Sequence, residues 1–155
     1  MRPFVLMVWF AVGCGARSSP PSDPTSEPTD LGGWNWQGWT KLSESPFASE
    51  GHQAVFVDVY VPAEYVGAYR DRAQPAPVGM RVAKVQHEKS GAGTVTGVTV
   101  MRKMSPGYDA AHGDWFYGVY DPAGTKAIKH GRIEMCIDCH DQAADRDYLI
   151  GLPAP

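Results

Sequence analysis

The chain has 155 residues, about the length of one domain, with 14 basic and 17 acidic residues and a formal net charge of −3 at pH 7. This mildly acidic balance gives no sign of a nucleic-acid-binding surface, which draws on clustered lysine and arginine. After residue 13 no stretch is long and apolar enough to span a membrane, so the sequence predicts no transmembrane helix.

The N-terminus has the pattern of an export signal. A short basic start precedes an apolar run over residues 4–12, which is too short for a bilayer that needs about 20 residues but matches a signal peptide. The run ends in Ala11-Val12-Gly13-Cys14, which resembles a bacterial lipobox. We therefore expect residues 1–13 to be removed and Cys14 to be lipidated; the alternative is an ordinary signal peptide with an incidental cysteine. Gly15 in place of an aspartate favours the outer membrane, with the domain facing the periplasm.

A linker is expected between the lipidated cysteine and the folded domain. Residues 14–33 are dominated by proline, serine, threonine and acidic residues. Such a composition cannot bury enough apolar surface to offset the entropy lost on ordering, so we expect this segment to be flexible. The folded domain is expected over residues 34–155, and it opens with three closely spaced tryptophans that we expect to pack together, Trp34, Trp36 and Trp39.

The domain itself contains strand patterns and two helical segments. Valine at every second position from Val55 to Val61 predicts a strand over residues 53–61. Pro62 and an early acidic residue then predict a short helix to about residue 72. The remaining predicted elements are a hairpin of strands over 80–88 and 94–103, a strand over 114–120, and a helix over 132–146. This order predicts an α+β fold, a mostly antiparallel β-sheet with short helices and a C-terminal helical segment.

The C-terminal helical segment contains the motif Cys136-Ile137-Asp138-Cys139-His140, the attachment pattern of c-type haem. Two thiols at this spacing can each add to one vinyl group of the haem, and the adjacent imidazole then ligates the iron. A redox pair would be expected near a βαβ pattern, and a zinc site needs two further ligands, for which only His130 is a candidate. The motif predicts one covalent haem c on Cys136 and Cys139, with His140 as the proximal iron ligand.

The second axial position of the iron has no obvious protein ligand. No single histidine or methionine stands out from its neighbours, so an open or water-filled distal site is the default expectation. The residues of suitable type are His52, His87, His112, His130, Met80, Met101, Met104 and Met135.

Four segments carry a resemblance to a known family. They are Val57-Asp58-Val59-Tyr60-Val61, the strand from Gly79 to Lys84, Gly113-Asp114-Trp115-Phe116, and the terminal Cys-x-x-Cys-His motif. With these segments in this order, the chain from about Trp39 to Pro153 resembles cytochrome P-460 and the related cytochrome c′-beta. A β-rich domain that ends in the haem motif is unlike the small all-helical cytochromes c and the four-helix cytochrome c′.

The resemblance implies a mostly antiparallel sheet packed over one c-type haem, in a protein that is usually a homodimer. His140 matches the proximal ligand of a five-coordinate iron. Lys84 matches a strand lysine that is covalently cross-linked to the haem edge in the P-460 branch, where hydroxylamine is oxidised. In the c′-beta branch the cross-link is absent, and the haem binds nitric oxide or similar gases.

The residues around Lys84 bear on this cross-link. Lys84 shares a strand face with Met80 and Val82, so its amine would be desolvated and more often neutral, the form that acts as a nucleophile. The alternative is a lysine whose amine reaches water from a half-buried strand. The resemblance also implies a distal carboxylate as proton acceptor, for which Glu134 and Asp114 are candidates by neighbourhood only.

Three functions therefore stay open at the level of the sequence. The chain is a haem oxidoreductase acting on hydroxylamine or a related small nitrogen compound, a non-catalytic gas-binding haem protein, or a simple electron-transfer cytochrome. An open axial position suits a substrate or gas, whereas an added protein ligand suits electron transfer. The sequence identifies neither the substrate nor the redox partner protein.

Overall fold

The structure is a computed structural model that describes residue 27 and residues 34–49, 51, 55–72, 74–88 and 93–153. Within these ranges, seven strands form one sheet: β1 (Thr40–Lys41), β2 (Phe47–Ser49), β3 (Val55–Val61), β4 (Arg81–His87), β5 (Val95–Lys103), β6 (Trp115–Tyr120) and β7 (Ala127–Gly131). The two α-helices are α1 (Val66–Asp71) and α2 (Glu134–Asp141). None of the helices in these ranges has the length and hydropathy to span a membrane.

All the strand pairs of this sheet are antiparallel. Strands β3 to β7 follow one another across the sheet in chain order, and β1 and β2 both pair with β3 at its edge. The predicted α+β class with a mostly antiparallel sheet and short helices is therefore confirmed. The predicted signal peptide, Cys14 and the linker apart from Glu27 lie outside the described residues.

Both predicted helices differ from their expected bounds. The segment after Pro62 first forms a 3₁₀ turn over Ala63–Tyr65, and only then becomes α1. The predicted C-terminal helix over 132–146 is wrong in length, because α2 ends at Asp141 and a separate 3₁₀ turn covers Ala144–Arg146. Three short strands, β1, β2 and β7, were not predicted from the sequence.

The sheet is covered on both faces. One face packs against α1, α2 and the C-terminal segment, and its core includes Val59, Val61, Met80, Val82, Met101, Trp115, Tyr117, Ile133, Ile137 and Leu149. The other face is covered by the N-terminal tryptophans, which pack together as predicted: Trp34 stacks on Phe116 with ring centroids 6.3 Å apart, and Trp36 meets Tyr60 edge-on at 5.0 Å. The sheet is therefore buried on both faces, and the residues of the Cys-x-x-Cys-His motif lie on the side of the sheet that packs against α2.

A buried polar network closes the β3 edge of the sheet. The side chain of Asp58 is 5 % exposed and accepts a hydrogen bond from the Ser43 hydroxyl at 2.7 Å. Its carboxylate also lies 3.0 Å from the Lys41 amine and 3.0 Å from Nε2 of His87. Burial alone would raise the pKa of Asp58, but the three donors outweigh it and hold this pKa below its usual range. The network therefore stabilises the ionised carboxylate and ties β1, β3 and β4 together.

Candidate functional site

An open cavity of about 1020 Å³, including the part exposed to solvent, lies between the helical face of the sheet and α2. The lining is mostly apolar and comprises Gly51, Val55, Val82, Lys84, Gln86, Thr99, Val100, Met101, Tyr117, Gly118, Val119, Met135, Cys136, Cys139 and His140. A second cleft of about 790 Å³ adjoins it and shares Gly51, Lys84 and Cys139.

Lys84 lies in the middle of the sheet floor of this cavity. It pairs with Val59 on β3 and with Thr99 on β5, and Thr99 pairs in turn with Val119 on β6. Residues directly opposite one another on neighbouring strands share a face, so a row of mostly apolar, β-branched side chains flanks the lysine. Lys84 is only 9 % exposed, and burial lowers the pKa of its amine, while the nearby sulfur of Cys139 opposes this shift. The predicted inward orientation of Lys84 beside Val82 is found in the structure.

Helix α2 presents both cysteines and the histidine to the cavity. Positions separated by three or four residues lie on one face of a helix, so Cys136, Cys139 and His140 line the same wall. Both thiols are free and half-buried. Burial raises the pKa of the Cys136 thiol to about 11, with the nearby Lys129 opposing the shift.

The imidazole of His140 is held by the backbone of a later turn. Its Nδ1 atom lies 2.7 Å from the carbonyl oxygen of Tyr148, and because a carbonyl only accepts, Nδ1 carries the proton. Burial lowers the pKa of His140 to about 4; the bond to Tyr148 opposes this, and the charge of Lys84 adds to it. The ring is therefore neutral, and the lone pair of Nε2 is free to ligate a metal. The Tyr117 ring packs against it with centroids 5.3 Å apart.

A glycine leaves room for the second thiol. A Cβ atom on Gly51 would lie 2.6 Å from Sγ of Cys139, closer than real side-chain atoms approach. The backbone at this position can therefore pass directly against the sulfur only because it carries no side chain.

The family model that describes cytochrome P460 matches residues 35–151. The chain belongs to the cytochrome P460 family. This confirms the family that the four sequence segments indicated, and it makes the protein a haem cytochrome. No curated protein matches the chain.

The site of this P460 cytochrome fits a haem. The cavity is apolar, two thiols and an imidazole line one wall of it, and the imidazole keeps Nε2 free while Nδ1 is bonded to Tyr148. Cys136 and Cys139 would hold such a group covalently, and His140 would ligate its iron. The structure thus brings together the motif residues and Lys84 in one cavity.

The candidates for the second axial position separate into two groups. Met101 and Met135 line the cavity, although Met135 is 65 % exposed. The other described candidates lie elsewhere: Met80 in the core, Met104 against the opposite face, His87 beside Asp58, His112 beside Asp109 and His130 stacked on Phe116. His52 lies outside the described residues.

Neither carboxylate candidate reaches the cavity. Asp114 accepts hydrogen bonds from the backbone N–H groups of Gly107 and Asp109 and so stabilises a loop. Glu134 is exposed at the first turn of α2. Among the described residues that line the cavity there is no aspartate or glutamate.

Sequence reasoning missed three contributors to the site. Thr99 and Gln86 line the cavity as polar groups near Lys84, and the strand alternation of the predicted hairpin could have identified both. The carbonyl of Tyr148 had no such signal, because every residue carries one and only the fold decides where it points.

Proposed function

We propose that this P460 cytochrome carries one covalent haem c on Cys136 and Cys139, with His140 as the proximal ligand of a five-coordinate iron, and oxidises hydroxylamine or a related small nitrogen compound. The bound haem would supply the redox centre, taking electrons from the substrate and passing them to a redox partner protein. The protein would supply the attachment, the axial ligand and a largely apolar chamber.

One observation supports the oxidase over its alternatives. Lys84 is 9 % exposed on the floor of the cavity that the two thiols and His140 also line. A buried cation without a nearby carboxylate is costly, so a lysine at this position is favoured where its amine is neutral or covalently bonded. A bond from this amine to the haem edge would distort the macrocycle and alter its reactivity. We therefore include the Lys84 cross-link in the proposal.

The second candidate is a gas-binding haem protein. It is favoured by the mostly apolar lining and by the lack of any aspartate or glutamate among the described lining residues, since such an oxidation releases protons that a base has to accept. The third candidate, an electron carrier with six-coordinate iron, needs an axial thioether, for which Met101 is the buried lining residue.

The optical spectrum of the ferrous, haem-loaded protein separates the three candidates. A red-shifted, broadened Soret band, with hydroxylamine-dependent reduction of an added electron acceptor, supports the cross-linked oxidase. An ordinary high-spin spectrum without that activity supports the gas-binding protein, and a sharp low-spin spectrum supports the electron carrier. Met101→Leu is the matched variant, because it changes the spectrum only where the thioether ligates the iron.

We further propose that the protein is an exported lipoprotein anchored through Cys14 and facing the periplasm, with the outer membrane favoured. The lipobox-like Ala11-Val12-Gly13-Cys14 and the proline-rich segment that follows support this location. The family resemblance supports a homodimer. The anchor would leave the haem domain free to meet a soluble substrate and a redox partner.

A further inference from the structure

A buried ion pair lies at the end of β5, apart from the residues that line the cavity. The amine of Lys103 is 2.5 Å from Oδ2 of Asp147, and the two side chains are 7 % and 11 % exposed. The same amine donates to the carbonyl of Gly113 at 2.7 Å, and Oδ2 also accepts from the backbone N–H of Ala76 at 2.6 Å. The amine lies 5.1 Å from the centroid of the Trp115 ring. Two separate chain segments, at Lys103 and at Ala76, therefore converge on the carboxylate of Asp147.

Asp147 begins an unusual backbone turn. Its φ is 48° and that of Tyr148 is 65°, so two successive non-glycine residues adopt the left-handed region. For a bulky aromatic residue this conformation is an outlier that persists only when the surrounding structure imposes it. The indole N–H of Trp115 donates to the carbonyl of Asp147 at 2.9 Å, so both the side chain and the backbone of Asp147 are fixed.

The neighbouring residue is fixed as tightly. The backbone N–H of Tyr148 donates to the carbonyl of Ala143 at 2.8 Å, and its hydroxyl donates to the carbonyl of Ala111 at 3.1 Å. A Cβ atom on Gly113 would lie 2.5 Å from the Tyr148 ring, so the ring packs directly on the backbone there. This turn places the carbonyl oxygen of Tyr148 2.7 Å from Nδ1 of His140.

We propose that the Lys103–Asp147 ion pair is a positioning element for His140 and sets the strength of its bond to the haem iron. The inference rests on the proposed role of His140 as iron ligand, but not on hydroxylamine as substrate. A hydrogen bond at Nδ1 fixes the orientation of a ligating imidazole and raises its basicity, so the group that holds the acceptor in place controls the ligand. A buried ion pair by itself contributes little net stability compared with an apolar pair of the same shape, which favours a role of this kind.

The test uses the haem-loaded protein with Asp147→Asn. Asparagine tolerates the left-handed backbone and keeps the shape of the side chain while removing its charge. The expected result is a lower iron–histidine stretching frequency in the resonance Raman spectrum of the ferrous protein and a higher reduction potential, at unchanged haem content. Both shifts follow from a weaker hydrogen bond at Nδ1 of His140. Neither measurement uses hydroxylamine, so the test stands even if the protein does not oxidise that substrate.

A second variant and a matched control keep the test decisive. Lys103→Gln should shift both readouts in the same direction, and it serves if Asp147→Asn does not fold. Asp58→Asn removes another buried carboxylate with a lysine partner, whose contacts among the described residues do not include Tyr148, and should shift neither readout. Unchanged frequency and potential in both pair variants would overturn the proposal and leave the pair a structural clamp. If His140→Ala leaves the ferrous spectrum unchanged, the proposed iron ligand itself is wrong.

Discussion

Gly51 and the sulfur of Cys139 are in direct apposition: a Cβ atom at Gly51 would lie 2.6 Å from Sγ. A free thiol can rotate away from such a contact, but a thiol bonded to a haem vinyl group has its position fixed at both ends. The proposed second thioether bond therefore requires space at Gly51. In the protein without haem this space matters less, because the thiol of Cys139 can rotate away.

We predict that Gly51→Ala lowers the fraction of haem joined through both thioethers, because the added methyl group competes with the bonded sulfur. Mass spectrometry of the tryptic haem peptide and the pyridine haemochrome spectrum, which reports the number of thioethers, measure this fraction. Gly67→Ala on α1 is the control, since nothing lies within 4 Å of a Cβ atom there. Equal double attachment in both variants would show that space at Gly51 does not limit the bond at Cys139.

The Asp58 network predicts an acid-dependent loss of stability. Because the folded-state pKa of Asp58 lies below its ordinary value of 3.8, the unfolded chain takes up a proton first as the pH falls. The stabilisation is complete well above pH 3.8 and is lost as the pH falls through the lower folded-state pKa. We expect Asp58→Asn to reduce the free energy of unfolding at pH 7 by about 1–3 kcal/mol, with the difference from the unsubstituted protein shrinking below pH 3.8.

Denaturant unfolding at pH 7 and at acidic pH measures both parts of this expectation. Glu64→Gln is the control, because the pair of Glu64 with Arg81 at 3.8 Å is exposed, and such pairs contribute about 0–1 kcal/mol. A pH-independent difference for Asp58→Asn would show that the network acts through packing and not through the charge.

The sequence predicted the parts of the fold whose burial is periodic. Val59 and Val61 of β3 lie in the core on the helical face, whereas Tyr60 between them lies on the opposite face, and the same alternation placed Lys84 on the cavity side of β4. It failed for β7, where Ile128, Lys129 and His130 are all exposed and leave no buried alternation to detect. Edge strands pair through the backbone on one side only, so their side chains are weakly constrained.

The end of α2 shows a second limit of sequence reasoning. Residues 132–146 contain no proline or glycine after Arg132 to stop a helix, so the pattern predicted one continuous element. The helix ends at Asp141 instead, and the turn beyond it is held where Asp147 pairs with Lys103 of β5 and the backbone N–H of Tyr148 bonds back to Ala143. These contacts join residues far apart in the sequence, and they also position the Tyr148 carbonyl that accepts the hydrogen bond from His140. The sequence could therefore predict His140 as the iron ligand, but it could not predict the carbonyl that holds its ring.

The proposed export signal and lipid anchor yield a prediction that concerns location. If Cys14 is acylated, Cys14→Ser should release the haem-loaded protein from the membrane fraction into the periplasmic fraction, because the described part of the chain has no helix able to span a membrane. Fractionation with immunodetection measures this. Cys139→Ser is the control, since it removes a thiol of the haem motif and should leave membrane attachment unchanged. Membrane association that persists in the Cys14 variant would count against the lipid anchor.

The last prediction concerns Lys84 and Lys129, two lysines of one cross-strand row. Lys84 pairs with Thr99, Thr99 with Val119, and Val119 with Lys129, but Lys84 is buried over the cavity whereas Lys129 is exposed on the edge strand. If burial beside the haem edge drives the cross-link, only the Lys84 amine should form it. Tryptic peptides of the haem-loaded protein should then include a species that joins the Lys84 peptide to the Cys136–Cys139 peptide through one haem.

The two lysines also give a matched pair of variants. Lys84→Ala should leave the haem content intact, because Cys136 and Cys139 still hold the group, while the spectrum returns to an ordinary high-spin c-type form and hydroxylamine oxidation falls. Lys129→Ala should alter neither the spectrum nor the cross-linked peptide. Recovery of the Lys84 peptide free from fully haem-loaded protein would rule out the cross-link. The buried amine would then be part of the chamber wall, and the gas-binding function would replace the oxidase as the better account of the site.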